Sequence, residues 1–294
     1  MDVTVLGSAN LDEVVRVARL PGPGETVLAL GRDRLPGGKG LNQAVAAARA
    51  GARTAFVSAV GQDAAADLLL GTLVEAGVDT ASVRRSSLAT GTALVTVQES
   101  GENSIIVDAG ANGDVRLDGP GRDAVTRARV LLAQLEVPLP VVVEGAAAAR
   151  GAGVTVVLNA APSQPLPAEL LAAVDVLLVN EHELSDVTGR ASVDAALTAL
   201  AGRVRAVVVT LGADGARWRS ADGDGSAPGL PARVVDTTGA GDALAGTLAA
   251  ALATGARLDD AVRLGTAAGA ISVERAGAAV SMPTRAEVDA RLAR

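Results

Sequence analysis

Val234-Val235-Asp236-Thr237-Thr238-Gly239-Ala240-Gly241-Asp242-Ala243-Leu244-Ala245-Gly246 is the stretch on which the reading of this chain turns. It passes from a short apolar segment through two threonines into small residues, then into an Ala- and Leu-rich run that reaches about Ala253. That order predicts an extended segment, a tight glycine turn and a helix. With no bulky side chain in the turn, an anion can approach the backbone N–H groups. The first helical turn carries unpaired N–H donors and partial positive charge. Two readings of Asp242 stand open here. It can favour the helix dipole, or it can be a general base held beside a bound phosphate.

Composition narrows the chemistry. The 294 residues make one large α/β domain or two small ones, and 49% hydrophobic content builds a large core. The net charge is −7 and no Lys/Arg run appears, which speaks against a nucleic-acid groove. A small anion such as ATP can still be held by local donors. There is no cysteine, hence no disulfide, thiolate nucleophile or cysteine metal site. The single histidine, His182, lacks a G-x-S-x-G partner motif and reads as an exposed residue in a first helical turn. No run reaches the ~18 apolar residues that span a membrane. The expectation is a soluble, cytoplasmic protein. The only aromatics are Phe56, in an expected core strand, and Trp218, a packing or exposed strand residue.

Working outward, residues 3–7 read as a strand ending in a polar tip that carries Asn10 and Asp12. Those two are ordinary turn residues, or ligands on the C-terminal side of an open α/β sheet. Residues 14–31 are β-rich and broken by Pro21-Gly22-Pro23-Gly24. Leu35-Pro36-Gly37-Gly38-Lys39-Gly40-Leu41-Asn42 lacks the Walker A spacing, and its glycines cap a helix over 44–50 or admit a ligand to the backbone. A strand over 54–59 and a helix over 63–76 follow. Strands over 91–98 and 103–108 are joined by the hairpin signal Glu99-Ser100-Gly101-Glu102. Beyond Arg129 the pattern becomes regular. Strands are expected over 130–135, 154–159, 174–179 and 206–210, alternating with helices, as in a parallel sheet covered on both faces. Glu136 falls at a strand end. Asn180 and Glu183 form a capping box. Helices over 240–253, 258–273 and 284–292 complete the chain. No G-x-G-x-x-G dinucleotide fingerprint occurs.

Asp236-Thr237-Thr238-Gly239-Ala240-Gly241-Asp242 resembles the C-terminal signature of the ribokinase-like sugar kinases, the PfkB family. Gly37-Gly38-Lys39-Gly40-Leu41-Asn42 resembles its N-terminal signature, and Asn180-Glu181-His182-Glu183 its N-x-x-E motif. Thr210-Leu211-Gly212 resembles its nucleotide wall. The resemblance implies an α/β fold: a three-layer sandwich with a mostly parallel central sheet and a small β-lid. One kinase domain would span residues 1–294, with lid strands from about 12–36 and 88–108. It implies an ATP-dependent sugar kinase with Asp242 as base and an anion hole at Gly239, Ala240 and Gly241. The sugar would meet Asn10, Asp12, Gly38, Lys39, Asn42, Glu136 and Asp242, and ATP would meet Asn180, Thr210, Gly212, Gly239 and Gly241. Glu183 would serve Mg²⁺. An activating K⁺ would meet Asp236, Thr238, Ser272, Gly277 and Ser281. A homodimer through the lid is implied, with neither nucleic acid nor membrane as partner. D-Ribose is the first expected acceptor. Nucleosides, fructose phosphates and other sugars are the alternatives, with a non-catalytic sugar-binding regulator behind them.

Overall fold

The computed structural model describes residues 1–98, 100 and 102–293, so part of the hairpin link expected at 99–102 lies outside the described residues. In chain order the strands are β1 (Val3–Leu6), β2 (Asn10–Val17), β3 (Ala29–Gly37), β4 (Thr54–Val60), β5 (Val83–Arg85), β6 (Gly91–Gln98) and β7 (Asn103–Asp108). They continue with β8 (Val130–Ala133), β9 (Thr155–Asn159), β10 (Val176–Asn180), β11 (Ala206–Thr210), β12 (Gly215–Ser220) and β13 (Gly223–Pro228). The helices are α1 (Lys39–Arg49), α2 (Ala64–Glu75), α3 (Gly119–Thr126), α4 (Leu139–Gly151) and α5 (Ala168–Ala173). After them come α6 (Glu181–Thr188), α7 (Val193–Leu200), α8 (Ala240–Ala253), α9 (Leu258–Ser272) and α10 (Arg285–Leu292).

The strands form a nine-stranded sheet in the order β13-β12-β11-β10-β9-β8-β1-β4-β5 and a separate four-stranded sheet, β3-β2-β6-β7. The large sheet is parallel from β11 to β5, and only its β12–β13 edge runs antiparallel. Its inner strands, from β11 to β4, are buried along nearly their whole length, and since alternate residues point to opposite sides both faces are covered. On β8, Val130 and Leu132 pack with α1, α2, α8 and α9, while Leu131 and Ala133 pack with α3 to α7. Helix–sheet–helix layering follows directly from that double burial. Trp218 is buried in β12, so of its two readings packing is the one observed.

The four-stranded sheet is different in kind. Its β2–β6 pair is parallel and its outer pairs are antiparallel. Leu28, beside it, and Leu30, Leu94, Ile105, Ile106 and Val107, on it, are all exposed. Asn10 and Asp12 belong to β2 rather than to a loose tip after β1, so this sheet begins at Asn10. The helix expected from Ala44 begins at Lys39, inside the glycine-rich segment. Glycine lowers helix propensity, yet here Gly40 is buried against Ser8, and packing overrides propensity. Strand β8 stops at Ala133, short of the expected 135, and the Leu135 N–H beyond it goes to the Ala161 carbonyl rather than to a ladder partner. Among the described residues no helix is long and apolar enough to cross a membrane.

Candidate active site

The parallel strands deliver polar residues to one edge. Ser8 follows β1, Gln134 and Glu136 follow β8, Asn159 and Asn180 end β9 and β10, and Thr210 ends β11. This is the C-terminal edge, where open α/β sheets place their ligands. Two helices enter it through glycines with positive φ. Gly38 (φ 86°) precedes α1 and Gly239 (φ 79°) precedes α8, and neither helix has a side-chain cap. A β-carbon at Gly38 would sit 2.8 Å from the Asn10 nitrogen, and one at Gly239 would press on Ala278 at 3.0 Å. Both turns therefore require glycine. At α8 the Ala240 N–H turns back to the Thr237 carbonyl at 3.3 Å. The next donors, Gly241 and Asp242, lie in the first turn, where a helix offers no carbonyl to its own N–H groups.

Asp242 is buried, 6% exposed, and amides from α1 hold its carboxylate. Asn42 Nδ2 donates to Oδ2 at 3.0 Å and Gln43 Nε2 donates to Oδ1 at 2.8 Å. The Asn42 side-chain Oδ1 is buried without a hydrogen-bond partner among the described residues. Glu136 braces the α1 entry, its Oε2 accepting from Ser8 Oγ at 2.5 Å and from the Lys39 N–H at 3.0 Å. Asn10 accepts from Asn112 Nδ2 at 2.7 Å, while Asn112 Oδ1 takes the Ala9 N–H at 2.9 Å.

Two cavities meet at α8. One, of about 270 Å³, is lined by Lys39, Asn180, Glu183, Thr210, Gly239, Ala240, Gly241 and Asp242, among others. The other, of about 660 Å³ and more apolar, is bounded by Thr210, Gly212, Leu230, Leu244 and Val273, and also reaches Ala240 and Gly241. A small charged chamber opening into a larger apolar one suits phosphates and a nucleoside respectively. A further cleft of about 390 Å³ lies at the opposite sheet edge beside Thr155, Arg205 and Trp218 and holds none of the signature residues.

Charge distribution follows from this crowding. Burial, reinforced by Glu136 and Asp242, pushes the Asp12 carboxyl up to about 7. Burial works against the Lys39 ammonium, but Asp242, Glu136 and Glu183 outweigh it and hold the group above its usual range. Burial raises Glu183, while the Asn180 N–H and Lys39 oppose part of that rise. Asp236 behaves oppositely. Burial would raise it, yet hydrogen bonds from Thr238 and Gly277 bring it below the usual range. Its Oδ1 accepts from the Thr238 N–H and its Oδ2 from the Gly277 N–H, both at 2.9 Å.

Asp236, Thr238 and Gly277 are thus directly tied. Ser272 precedes Val273, whose carbonyl receives the Val235 and Asp236 N–H groups. The Ser272 and Ser281 hydroxyls turn onto the carbonyls of Gly269 and Ala278. Lys39, expected beside the sugar, also lines the small chamber with Glu183 and Asp242. His182 is exposed. Sequence reasoning missed Ser8, Gln43, Asn112, Gln134 and Asn159. Of these, Gln43 adjoined the N-terminal signature, Gln134 stood two residues before Glu136, and the others carried no local signal.

A carboxylate next to an open helix N-terminus, with a charged chamber between a nucleoside-sized cavity and a cluster of hydroxyl partners, defines a phosphotransferase acting on an alcohol group. The sequence matches the pfkB family of carbohydrate kinases over residues 1–285, and the chain belongs to that family. It is 38% identical to the ribokinase of Haemophilus influenzae, with 97% of this chain and 96% of that one covered. The structure of Arabidopsis thaliana ribokinase complexed with ribose and ATP superposes with a TM-score of 0.93 at 36% identity, covering 99% of this chain and 98% of that one. Thermotoga maritima ribokinase gives 0.92 at 35% identity, with 99% of each chain covered. The fold is the ribokinase-like α/β sandwich, and the family's activity is that of a carbohydrate kinase.

Proposed function

We propose that this protein transfers the γ-phosphoryl group of ATP to O5 of D-ribose, giving D-ribose 5-phosphate. The observation that carries the reading is Asp242, held by Asn42 and Gln43 at the mouth of the small chamber. There it can accept the hydroxyl proton as the sugar oxygen attacks phosphorus, with the first-turn N–H groups of α8 receiving charge from the transferring group. Asn10, Asp12, Asn42 and Glu136 offer hydroxyl partners suited to a neutral pentose. Phe56 is buried in β4 and Trp218 in β12, so neither ring supplies a stacking surface for a base near β2. The relatives named ribokinase, one of them complexed with ribose and ATP, lean the same way.

The donor set fits the expected ions. Glu183 commits Oε2 to the Asn180 N–H, leaving its other oxygen for water-mediated Mg²⁺, which would neutralise charge on the phosphates. Asp236, kept ionised by its hydrogen bonds, would join carbonyls near Thr238, Ser272, Gly277 and Ser281 around K⁺. Equal rates in Na⁺ and K⁺ buffers would remove that ion from the reading. The exposed Leu94, Ile105 and Ile106 on the small sheet favour a role as a lid that pairs with a second copy. Light scattering showing a monomer at micromolar concentration would reject the pairing. A cytoplasmic setting completes the reading.

The decisive experiment compares kcat/KM for D-ribose, adenosine and fructose 6-phosphate in a coupled ADP-release assay. Ribose is expected to lead. Either rival ahead by tenfold, about 1.4 kcal/mol of transition-state preference, overturns the acceptor while leaving the kinase class intact.

A further inference from the structure

Gln43 is fully buried, as is Gln134. Neither lines the two chambers at α8, although Asn159, a partner of Gln43, lines the smaller one. Gln43 Nε2 uses its two hydrogens on Asp242 Oδ1 (2.8 Å) and Asn159 Oδ1 (2.9 Å). Its Oε1 accepts from Gln134 Nε2 at 2.6 Å. Asn159 Nδ2 in turn donates to the Leu178 carbonyl of β10 at 3.2 Å. The direction of this chain is set independently at both ends. Leu178 offers only an acceptor, so Asn159 must turn its amide nitrogen there and its oxygen to Gln43. Asp242, as a carboxylate, also demands a donor from Gln43. The two requirements agree, and flipping any one amide would set oxygen against oxygen inside the protein.

The chain is also geometrically exacting. One turn beyond Asp242, Gly246 lets α8 approach α1 closely. A β-carbon there would lie 2.5 Å from both the Gln43 carbonyl oxygen and the Ala46 β-carbon. At Gly7 a β-carbon would lie 1.8 Å from Gln134 Oε1. Two glycines outside both signature glycine turns thus make room, Gly246 for the α1 backbone that carries Gln43 and Gly7 for the Gln134 amide.

We infer that Gln43 is a positioning residue for phosphoryl transfer, clamping Asp242 Oδ1 to the ends of β8 and β9 so that the rest of the carboxylate faces the acceptor hydroxyl. A carboxylate on a first helical turn can rotate about χ1 and χ2, and a base helps only in near-attack geometry. Asn42 alone fixes one oxygen. Gln43 fixes the second to the rigid sheet, and with it the plane. The inference rests on reading Asp242 as the base.

The test is a double-mutant cycle on the full chain, with kcat and both KM values measured for wild type, Gln43→Leu, Asp242→Asn and the double variant. Gln43→Leu is expected to lower kcat about 30- to 100-fold, in the range of a 1 Å misplacement. The KM values for sugar and ATP should stay within about threefold. In the Asp242→Asn background the same substitution should change the residual rate less than about threefold, because the group it positions is gone. A kcat for Gln43→Leu within threefold of wild type overturns the inference, and so does an undiminished loss in the Asp242→Asn background. Asp242→Asn retaining wild-type turnover would instead refute the base assignment, a distinct result. If circular dichroism shows Gln43→Leu unfolded, Gln43→Glu carries the test. It has the same shape but donates only when protonated, so its kcat should be low at pH 8 and recover as pH falls. A Gln43→Glu profile parallel to wild type would count against the clamp.

Discussion

Helices α6 and α8 begin at the same edge of the same sheet, and each has an acid at its third position. In α6 that acid is Glu183, and in α8 it is Asp242. Their fates differ. Glu183 reaches back to the Asn180 N–H at 2.8 Å while Asn180 Oδ1 takes the Glu183 N–H at 2.8 Å, so the helix closes its own end. At α8 the preceding residue is glycine, no side chain caps the end, and amides from another helix hold Asp242. Acids at the same helical position are thus held in different ways, Glu183 by its own helix and Asp242 by side chains of α1. The difference lies at the first-turn N–H groups, which side chains of the helix cap in α6 and no side chain caps in α8.

The largest effect expected from this contrast is at the acids. Asp242→Asn should keep the fold and nucleotide binding but lower kcat by about 10²–10⁴-fold, the range for a lost general base. Glu183→Gln keeps an oxygen for the Asn180 N–H. It should lose only about tenfold, recoverable at higher Mg²⁺, as for an outer-sphere partner of a metal. Steady-state kinetics across a Mg²⁺ titration separates the two. Equal, Mg²⁺-insensitive losses would erase the distinction between the helices.

Asp12 adds a third condition, a carboxylate neither committed to a helix nor held by amides. Among the described residues it has no hydrogen-bond partner, and burial with the like charges of Glu136 and Asp242 raises its carboxyl to about 7. In the proposed role of Asp12 as a partner of the sugar hydroxyls, the ionised form is the stronger acceptor, so KM for the sugar should rise as pH falls below about 7, approaching tenfold per unit, while KM for ATP stays flat. The stability effect has the opposite sign. Between an unfolded value near 4 and the folded value near 7 the folded state binds the extra proton, so stability falls as pH rises through that window. Asp12→Asn should therefore raise the Tm of the ligand-free protein at pH 8, with the gain fading towards pH 4. A Tm difference independent of pH would contradict the crowding of Asp12, Glu136 and Asp242.

Much of this was legible in the residues. Thr237-Thr238-Gly239-Ala240-Gly241-Asp242 announces an uncapped helix start because glycine and small residues have few other uses in that order, and α8 spans 240–253 as expected. The Asn180/Glu183 box was equally plain because capping is local chemistry at fixed spacing. What stayed hidden is non-local. Gln43, Gln134 and Asn159 stand 91 and 116 residues apart along the chain and meet only because β8 and β9 end beside α1. A buried glutamine carries no periodic signal distinguishing it from a surface one. The start of α1 was misread for a related reason, since Gly40 is helical only through its packing on Ser8.

The smallest expected effect isolates what a cap alone is worth. Helix α10 carries a second capping box, in which Thr284 accepts the Glu287 N–H and Glu287 returns to the Thr284 N–H, and neither residue lines either chamber at α8. Thr284→Ala and Asn180→Ala each remove one side-chain acceptor from a first-turn N–H, so each should lower unfolding stability by about 1 kcal/mol. The Thr284 variant should retain wild-type kcat and KM. Asn180 differs in one respect, since it lines the small chamber beside Lys39 and Glu183. Its loss also frees Glu183, whose Oε2 currently accepts the Asn180 N–H from a posture set by the box. Asn180→Ala should therefore raise KM for ATP several-fold at a stability loss matching that of Thr284→Ala. Urea unfolding and ATP titrations on the pair read the two quantities separately. If both variants lose stability alike and neither moves KM for ATP, then Asn180 serves α6 alone, and the closed helix takes no part in holding the nucleotide.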